Sequence, residues 1–567
     1  MVLPVTVAEP VIFERVITLR RDMNIFGMSF KKIILYLTVA TAIVIYVLPV
    51  SKFNVVQTVK TVQASRRLET NKAVNATIKP AVPSTKAHHD VYYVWCGRKV
   101  FEFKHYLSVV SVLRFLNPDN VMLYYQTKPK VNRYNTWLHE VAEEYPYFTL
   151  RQLTPTDSVY ACAGASRLNR RFVDGLLKRG EDLYVSERVI LTRFVTELHL
   201  AVVDDGLVVA GNGSENIRNS NSLKTDRHCS GVKQFVANSA KAPCVVTDEG
   251  RLFPKDIMNL DNAFGRLARK VFYGTTEIRQ PSPRYDELIP NIAHMIWLGG
   301  GEMNFLFYLG VLSLVYVAKV DTVYIHGEMP PTGAFWNLLK NNTRVRHIYR
   351  VHRGTVYGQD VGERLSRRSD TWRPDIMFNY GGIYMDTDAV FTKPLDRRLL
   401  GYEAIATFDV TTYNGFPNVV QGGVLAGKPG ADLWRRVGQF VKKFGEGIFC
   451  NQPCIVPYRI WERHPELLLV EPHFQVTCFL NRCHPTWFSD FLINTRRPQD
   501  VYDGRKARIW NWRKDAHVLH FTGSYPAEFS DVRSLLGGGR NATIFVEMGK
   551  YILLKAGMLD YLTSHMS

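Results

Sequence analysis

The sequence predicts an α/β protein in which two tandem domains of related, Rossmann-like fold follow an N-terminal transmembrane helix. Three observations carry this prediction: an apolar segment near the start, a second half that repeats the pattern of the first, and strands that alternate with helices in both copies. Such alternation is typical of a mostly parallel sheet covered by helices. A chain of 567 residues, 46% of them hydrophobic, is long enough for two or three packed domains.

The predicted transmembrane helix is residues 33–50, eighteen residues without a charged side chain. This length just spans the hydrocarbon core of a bilayer. Lys31, Lys32 and Lys52 flank it, and the basic residues before it predict residues 1–32 as a cytoplasmic tail. A cleaved signal peptide would start closer to the N-terminus and end in small residues, and a buried core helix is the other alternative. We expect a single-pass type II membrane protein with its bulk in the lumen.

Two further features fit a lumenal location. N-glycosylation acceptor sequences occur at Asn75, Asn212, Asn341 and Asn541. The eight cysteines are an even number, which suits an oxidising compartment. Two pairs are close enough for local disulfides, Cys450 with Cys454 and Cys478 with Cys483. Their spacings are not those of a zinc site, and the full connectivity stays open.

The net charge of +19 does not point to nucleic acid. The basic residues are scattered in short groups such as Arg170-Arg171 and Arg367-Arg368. The chain has no long basic arm, RNA-binding aromatic signature or zinc finger. We therefore expect no nucleic-acid partner, and a positive lumenal surface that suits nucleotide sugars, anionic glycans or a membrane.

Residues 51–90 are polar and contain Lys79-Pro80 and Pro83, a composition typical of a flexible stem. After the stem the chain begins the same pattern twice, with an offset of 202 residues, so that Trp95 corresponds to Trp297. Further matching pairs are Phe103 and Phe305, Tyr106 and Tyr308, Leu107 and Leu309, Val109 and Val311, Ser111 and Ser313, Val121 and Val323, Pro129 and Pro331, and, after a three-residue gap, Trp137 and Trp336. A repeat of this length indicates duplicated domains.

Each copy predicts the same order of elements. A strand that ends near the tryptophan is followed by a helix (residues 105–115 and 307–318), a strand (120–125 and 321–326) and a helix that carries tryptophan. Sheets of this kind bind ligands beyond the carboxyl ends of their strands.

Asp386 and Asp388 lie one residue apart, directly after the apolar segment Ile383-Tyr384-Met385. Their hard oxygen ligands suit Mn²⁺ or Mg²⁺. Such a metal offsets the negative charge that builds on a departing nucleotide diphosphate. A bare Asp-x-Asp is common by chance and is usually a solvated loop, so the surrounding pattern decides its meaning.

Upstream of this pair, the spacing predicts a helix that begins near residues 369–371, with Pro374 in its first turn, and that ends at Gly381-Gly382. Asp370 and Arg373, three residues apart, would share one face of that helix. They either form a structural ion pair or bind the hydroxyl groups of a sugar beside the metal.

With these blocks in place, the second copy resembles glycosyltransferase family 32, whose DXD-bearing members are related to the sugar-transferring domain of the large clostridial toxins. The blocks are Ile289-Pro290, His294-Met295-Ile296-Trp297, Arg368-Ser369-Asp370 with Arg373, and Tyr380-Gly381-Gly382-Ile383-Tyr384-Met385-Asp386-Thr387-Asp388. The resemblance is strong over residues 286 to about 400 and loose to about 530. It implies a GT-A fold, a UDP- or GDP-sugar donor, Mn²⁺ (or Mg²⁺) as cofactor, and transfer with retention at the anomeric carbon.

The resemblance also implies roles for individual residues. Trp297 would stack on the nucleobase, its alternative being a core tryptophan. Asp370 and Arg373 would contact the donor sugar, and Asp386 and Asp388 would address ribose, metal and diphosphate. The expected nucleotide-sugar site is completed by Ser369, Gly381, Gly382, Tyr384 and Gln421.

His520 is the expected third metal ligand. It lies in His520-Phe521-Thr522-Gly523, which resembles the His-Phe-x-Gly ending of related metal-dependent transferases. Imidazole is an acceptable Mn²⁺ ligand. The alternative is a histidine packed at the end of a strand.

The first copy departs from the pattern. An alignment of Ser186-Glu187 with Ser369-Asp370 places Val203-Asp204-Asp205 opposite Asp386-Thr387-Asp388. We therefore expect residues 91–285 to be a degenerate GT-A-like domain and residues 286–567 to be the catalytic GT-A domain.

The expected protein is a Golgi membrane glycosyltransferase, either a hexosyl- or an N-acetylhexosaminyltransferase, that acts on a glycan, glycolipid or glycoprotein. The alternative from another class is a non-catalytic glycan-binding or chaperone-like protein built from decayed transferase domains. The sequence leaves the sugar, acceptor and linkage open.

Overall fold

The framework of the protein is two sheets, one in each half of the chain, and the central strands of each sheet are parallel to one another. The computed structural model describes residues 90–163, 167–177, 182–192, 208–210, 230–233, 236–237, 244–247, 250–351, 355–356, 359–360, 365–410, 415–444, 452–479, 482–487, 493–494, 510–537 and 543–565. The predicted tail (1–32), anchor (33–50) and nearly all of the stem (51–90) lie outside these ranges. Within them, no helix is both long and apolar enough to cross a membrane.

The strands of the first half are β1 (Asp90–Trp95), β2 (Asn120–Tyr125), β3 (Phe148–Gln152), β4 (Cys162–Ala163), β5 (Arg167–Leu168), β6 (Leu183–Val185), β7 (Val189–Leu191), β8 (Val208–Ala210), β9 (Ser230–Lys233), β10 (Val236–Ala237) and β11 (Cys244–Val246). Its helices are α1 (Phe103–Phe115), α2 (Trp137–Glu144), α3 (Pro155–Ala161), α4 (Arg170–Leu176), α5 (Pro254–Asn259) and α6 (Ala263–Tyr273). One sheet has the order β3-β2-β1-β6-β8 and a second has the order β10-β9-β11-β7, while β4 and β5 form a hairpin.

The strands of the second half are β12 (Ile292–Ile296), β13 (Thr322–Gly327), β14 (Val345–Tyr349), β15 (Thr355–Val356), β16 (Gln359–Asp360), β17 (Gly382–Met385), β18 (Ala389–Phe391), β19 (Ala404–Phe408), β20 (Val420–Gly427), β21 (Leu469–Val470), β22 (Gln475–Phe479), β23 (Arg482–Pro485), β24 (Ile493–Asn494) and β25 (Val518–Phe521). They form a sheet of order β14-β13-β12-β17-β20-β19-β21, a sheet of order β18-β25-β22-β23-β24 and the hairpin β15-β16.

The helices of the second half are α7 (Phe305–Leu312), continued by a π-helical segment at Ser313–Ala318, α8 (Gly333–Leu339), α9 (Leu365–Tyr380), α10 (Asp432–Phe444), α11 (Gln452–Arg463), α12 (Trp512–Asp515), α13 (Val532–Leu536), α14 (Ile544–Lys555) and α15 (Leu559–His565). Short 3₁₀ turns occur at Pro465–Leu467 and Ala527–Phe529.

The predicted duplication is present in the backbone. Asp90 pairs with Asn120 between β1 and β2, and 202 residues later Ile292 pairs with Thr322 between β12 and β13. A buried serine is also repeated. Ser313 Oγ accepts a hydrogen bond from the Phe391 N–H (2.9 Å) and donates one to the Gly310 carbonyl (2.7 Å). Ser111 makes the matching bonds, to the Leu191 N–H (2.9 Å) and the Ser108 carbonyl (2.7 Å).

The strand pairing corrects the alignment of the first copy. Tyr184 of β6 pairs with Tyr92, as Tyr384 of β17 pairs with His294. The residues that follow β6 are therefore the counterparts of the Asp-x-Asp segment that follows β17: Ser186 takes the place of Asp386, and Arg188 takes the place of Asp388. The aspartates at 204 and 205, which the sequence alignment had placed there, lie outside the described residues.

Helix α9 begins earlier than predicted. It starts at Leu365, so Pro374 lies in its interior and not in its first turn. One proline removes one backbone hydrogen bond, and burial of Trp372, Ile376 and Met377 on both sides of it holds the helix together. The predicted end is confirmed, because Gly381 follows the helix with a φ of 60°.

The disulfides agree with the sequence in part. Cys478 and Cys483 are bonded across the β22–β23 pair, one of the two local bonds that the spacing allowed. The other, between Cys450 and Cys454, is not formed, because Cys454 carries a free thiol; Cys450 lies outside the described residues. Cys454 lies on α11 and faces the segment around Gly422. Cys96 and Cys162, 66 residues apart, form a bond that local spacing did not indicate.

A buried pair of histidines joins β12 to β13. His294 Nδ1 lies 2.9 Å from His326 Nε2, and His294 Nε2 lies 3.1 Å from the Gly381 carbonyl. Both side chains are almost fully buried, and His326 Nδ1 has no hydrogen-bond partner. One proton on each ring satisfies this chain, so both rings are neutral. Burial, with Arg350 nearby, lowers the pKa of His294 to about 4, and burial beside His294 lowers the pKa of His326 to about 3.

This pair predicts a loss of stability in mild acid. Below the unfolded pKa of about 6.5, the unfolded chain binds protons at these positions and the folded chain does not, so each histidine lowers the free energy of unfolding by about 2 kcal/mol between pH 7 and pH 5. The loss continues until the pH reaches the folded values near 4 and 3. Denaturant titrations at pH 7 and pH 5 measure it. His326→Asn should show a smaller pH dependence than the unsubstituted chain, and equal slopes would contradict the assignment.

Candidate active site

The acidic pair lies at the carboxyl edge of the second parallel sheet. Strand β17 ends at Met385, so Asp386 follows it directly, and Asp388 precedes β18. The Asp386 N–H donates to the Gly423 carbonyl of the neighbouring strand β20 (2.8 Å). The side chains of Asp386 and Asp388 are 28% and 42% exposed, so both carboxylates reach solvent at this edge.

His520 joins the acidic pair because β18 pairs with β25. Ala389 lies opposite His520 in that antiparallel pair. His520 Nε2 is 3.2 Å from Asp388 Oδ1 and 3.8 Å from Asp386 Oδ2. One ligand atom from each of the three residues lies within 4.8 Å of the others, as a shared metal ion requires. The predicted set of metal ligands therefore comes together, and two carboxylates with one imidazole fit Mn²⁺ or a similar divalent cation.

The electrostatics of His520 also favour a cation at this point. Burial alone would lower its pKa, but the hydrogen bond and charge of Asp388, with Asp386 nearby, raise it. The carboxylates thus attract a positive charge to the imidazole position, either a proton or a metal ion bound through Nε2.

Gly423 makes room for the imidazole. A Cβ atom at this position would lie 2.1 Å from His520 Cε1 and 2.7 Å from both ring nitrogens. No side chain fits there unless the ring moves. The sequence pointed to the segment Gln421-Gly422-Gly423 but did not reveal this steric role, which depends on strands far apart in the chain.

Arg373 fixes one oxygen of Asp386. Its side chain is 6% exposed, and its Nη2 lies 3.1 Å from Asp386 Oδ1 and 3.1 Å from the Tyr384 hydroxyl. The Tyr384 hydroxyl donates to the same carboxylate oxygen at 2.5 Å. Because Oδ1 is held in this way, Oδ2 is the oxygen that faces His520. Arg373 and Tyr384 therefore position Asp386, one of the three residues of the candidate metal site.

Asp370 lies beside this cluster. Its Oδ1 is 3.4 Å from Arg373 Nη2, and its side chain is 20% exposed. Burial raises its pKa to about 6, with Arg373 opposing the shift and Asp386 adding to it. The predicted ion pair is present. Ser369 Oγ lies 3.4 Å from the same Nη2, so Ser369 belongs to the network too.

Gln421 is held on the wall of the site by an aspartate that sequence reasoning missed. Its Nε2 donates to Asp409 Oδ2 (3.3 Å), and its Oε1 accepts from the Gly423 N–H (2.9 Å). Asp409 follows β19, which runs in the same direction as β17 because both are antiparallel to β20. A carboxylate at that strand end was the available signal, but only the sheet order shows that it belongs to this edge.

Trp297 lies at the same edge of the sheet as the acidic pair, whereas the double glycine does not. Trp297 follows β12 at the same edge as Asp386; it is partly exposed and donates from Nε1 to the Gly301 carbonyl (3.3 Å). Gly381 precedes β17 and Gly382 is the first residue of that strand, so both glycines lie at the opposite edge of the sheet. A Cβ atom at Gly382 would lie 2.6 Å from the Ile292 carbonyl oxygen. The structure does not bring the two glycines to the carboxylates.

The corresponding edge of the first copy is filled by its own side chains. Trp95, the counterpart of Trp297, is fully buried. Lys99 Nζ lies 4.6 Å from the centre of its ring and forms an ion pair with Glu187. With Ser186 and Arg188 in place of the two aspartates, this edge lacks the acidic pair of the second copy.

Comparison with known proteins agrees with this geometry. A family model described as the glycosyltransferase sugar-binding region containing the DXD motif matches residues 337–405. The chain carries a DXD-type glycosyltransferase region. The match includes Asp370, Arg373, Asp386 and Asp388, whereas Trp297, Gln421 and His520 lie outside it.

One curated relative is the protein named Glucan organizing enzyme 1 from Cryptococcus neoformans var. grubii serotype A. It is 25% identical over 191 residues, which make up 31% of this chain and 51% of that protein. The chain thus spans about half the length of the curated relative that it matches.

Solved structures of glycosyltransferases are similar at low global scores. The WbbM bifunctional glycosyltransferase has a TM-score of 0.30 and 10% identity, covering 85% of this chain and 100% of that chain. An active-site mutant of LgtC has a TM-score of 0.27 and 13% identity, covering 47% and 95%. PaToxG has a TM-score of 0.24 and 14% identity, covering 32% and 70%. No role is assigned to a residue from these likenesses.

Gly423 yields the first prediction for this site. Gly423→Ala should weaken Mn²⁺ binding about 10- to 100-fold, the range seen when a group that orients a metal ligand is lost, because the methyl group displaces the His520 ring. Calorimetric titration of the apo chain with Mn²⁺ measures this. Gly175→Ala is the matched control, since a Cβ there meets nothing within 4 Å. Equal Mn²⁺ affinity in both variants would refute the steric role.

Tyr384 yields the second prediction. Tyr384→Phe removes the hydroxyl that holds Asp386 Oδ1 and should weaken Mn²⁺ binding about tenfold, at the lower end of the effect of outer-shell groups. The matched control is Tyr93→Phe, which removes a buried hydroxyl bonded to Ser108 (3.3 Å) in the first copy. If both variants lose the same small amount of thermal stability and neither loses Mn²⁺ affinity, Tyr384 does not position the ligand.

Proposed function

We propose that the protein is a metal-dependent, retaining glycosyltransferase that moves a sugar from a UDP- or GDP-sugar to a glycan, glycolipid or glycoprotein acceptor. The observation that carries the proposal is the meeting of Asp386, Asp388 and His520 at one strand edge, with Arg373 holding Asp386 in place. A bound Mn²⁺ or Mg²⁺ would neutralise the diphosphate leaving group of the donor.

The chain's own residues divide the remaining work. Asp386 and Asp388 would hold the cation through carboxylate oxygens, and His520 would hold it through a ring nitrogen. Trp297, partly exposed at the same edge, offers its ring to the nucleobase. Asp370 lies next to Asp386, and its carboxyl group is 20% exposed, so it is placed to accept hydrogen bonds from donor-sugar hydroxyls.

Arg373 has a different task in this proposal from the contact with the donor sugar that the resemblance implied, and its hydrogen bonds support this. Both Nη atoms are occupied by protein groups: Nη1 donates to the Gly422 carbonyl (2.7 Å), and Nη2 faces Asp386, Tyr384 and Asp370. It therefore orients the carboxylates that meet the donor and does not itself grip a sugar.

The two copies have different roles in this proposal. Residues 286–567 form the catalytic GT-A domain, because the acidic pair and the histidine lie there. Residues 91–285 form a domain that does not catalyse, because Ser186 and Arg188 stand in place of Asp386 and Asp388.

The membrane location and the acceptor belong to the proposal as well. The charge pattern around residues 33–50 supports a type II anchor, and the four N-glycosylation acceptor sequences support a Golgi lumen location. The name of the fungal relative supports a polysaccharide as the class of acceptor.

The deciding experiment is a donor screen. The purified chain is incubated with labelled UDP- and GDP-sugars and Mn²⁺, and donor hydrolysis and transfer to oligosaccharides are measured. One donor should be consumed, and chelation with EDTA should abolish its consumption.

Asp388→Asn should lower the rate at least about 100-fold, as expected when one preorganised electrostatic group is lost. Asp560→Asn, an exposed aspartate on α15, should retain the full rate. If no donor is consumed and the chain nevertheless binds glycans, the proposal is wrong. The protein is then the non-catalytic glycan-binding alternative, built from decayed transferase domains.

A further inference from the structure

The first copy and the site of the second copy are connected by one helix, α11 (Gln452–Arg463). Residues Thr85–Ser567 form one compact unit. Within it, Trp137 and Phe272 of the first copy share a hydrophobic core with Ile455 and Tyr458 of α11. The two copies therefore have no solvent layer between them at this helix.

The C-terminal half of α11 is held by charged groups of the first copy. Arg459 Nη2 lies 2.5 Å from Glu140 Oε1, and Arg463 forms a second ion pair with the same carboxylate. Arg459 Nη1 donates to Glu462 Oε2 (2.7 Å), and the Tyr134 hydroxyl donates to Glu462 Oε1 (2.8 Å). The side chains of Glu462 and Arg459 are 0% and 7% exposed, so the centre of this network is buried, whereas Arg463 at its edge is 30% exposed.

Aromatic rings of the first copy cover the two guanidiniums. The Arg459 guanidinium lies 4.0 Å from the centre of the Trp137 ring, and the Arg463 guanidinium lies 5.4 Å from the Phe272 ring. Burial alone would raise the pKa of Glu140, but Arg459 and Arg463 hold it at about 2. The carboxylate is thus ionised at neutral pH. Without it, the buried Arg459 and the partly buried Arg463 would lose their shared partner, and loss of one member of a buried ion pair is destabilising.

The N-terminal half of α11 reaches the donor site. Cys454 lies there, partly buried, and receives a hydrogen bond from the backbone of Gly422. Burial raises the pKa of its thiol to about 12, and the neighbouring carboxylates Asp409 and Asp370 add to the shift. Gly422 also accepts the Arg373 hydrogen bond, so the Cys454 end of α11 touches the strand that holds the metal-site arginine.

We propose that Glu140 is a positioning residue for the donor site: it holds the Arg459 end of α11 so that the Cys454 end keeps its place against Gly422, Asp409 and Asp370. The first copy, which has lost the acidic pair, is then a required part of the catalytic unit. The kinetic part of this inference rests on the proposed function; the structural part does not.

The test compares Glu140→Gln with Glu187→Gln. Both variants remove the charge of a glutamate from an ion pair in the first copy, but Glu187 pairs with Lys99 and not with α11. The first readout is the rate at which a maleimide labels Cys454, followed by mass spectrometry of its peptide well below the melting temperature. Glu140→Gln should raise this rate about tenfold, and Glu187→Gln should leave it unchanged.

The second readout is turnover of the donor found in the screen. Glu140→Gln should lower kcat/KM about 10- to 100-fold, the effect expected when distant support shifts a site by about 1 Å. Glu140→Asp, which restores the charge, should recover most of that loss. If Glu140 only stabilises the fold, Glu140→Gln should lower the melting temperature but leave Cys454 labelling and kcat/KM within twofold of the unsubstituted chain. That result overturns the inference.

Failure of the variant to fold and failure of the proposed function each leave a readout that still tests the role of Glu140. If Glu140→Gln does not fold, Thr136→Val takes its place, because the Thr136 hydroxyl donates to Glu140 Oε1 and accepts from Arg459 Nη2. An unchanged Cys454 rate in that folded variant overturns the inference. If the unsubstituted chain consumes no donor, the proposed function fails, and the Cys454 rates still decide whether Glu140 positions the helix.

Discussion

The buried guanidinium of Arg373 is the constraint on which the site depends. A charge with 6% of its side chain exposed must be met by anions and acceptors from the protein, since an unpaired buried charge is strongly destabilising. Its partners come from three elements: Asp370 on α9, Tyr384 and Asp386 at β17, and the Gly422 carbonyl on β20. Satisfying one arginine therefore fixes the helix, the strand end and the returning strand together, and the acidic pair is built on that framework.

The third side chain of the candidate metal site comes from a different sheet, so the site depends on both sheets of the second half of the chain. The chain leaves the large sheet after β17, and β18, which begins directly after Asp388, pairs with β25, which carries His520 to the two carboxylates. Strand β20 passes beside the imidazole, and only a residue without a Cβ fits there, which is why position 423 is a glycine. Residues 386, 423 and 520 thus form one unit, although they are far apart in sequence.

The parts of the site that could be predicted from sequence are those with a local pattern. Asp386 and Asp388 follow a short apolar strand, and Arg373 lies at helical spacing before them. Asp409, Cys454 and the role of Gly423 could not be predicted, because they depend on antiparallel strand returns and on a helix that packs from outside the motif. The start of α9 was wrong because burial around Trp372 and Ile376 outweighs the missing hydrogen bond of Pro374. The sequence alignment of the first copy was wrong because it matched the aspartates at 204 and 205 to Asp386 and Asp388. The register of β6 instead places Ser186 and Arg188 opposite those two residues.

The buried serine that both copies contain joins a helical segment to the strand that follows the site edge. Ser111 and Ser313 each close the same two hydrogen bonds, although Ser186 and Arg188 stand where the second copy has Asp386 and Asp388. This bond lies inside the scaffold and does not depend on which side chains stand at the strand end. Loss of such a serine would leave an orphaned amide, which costs about 1–3 kcal/mol. The interior of this fold and the residues at its edge can therefore vary independently of each other.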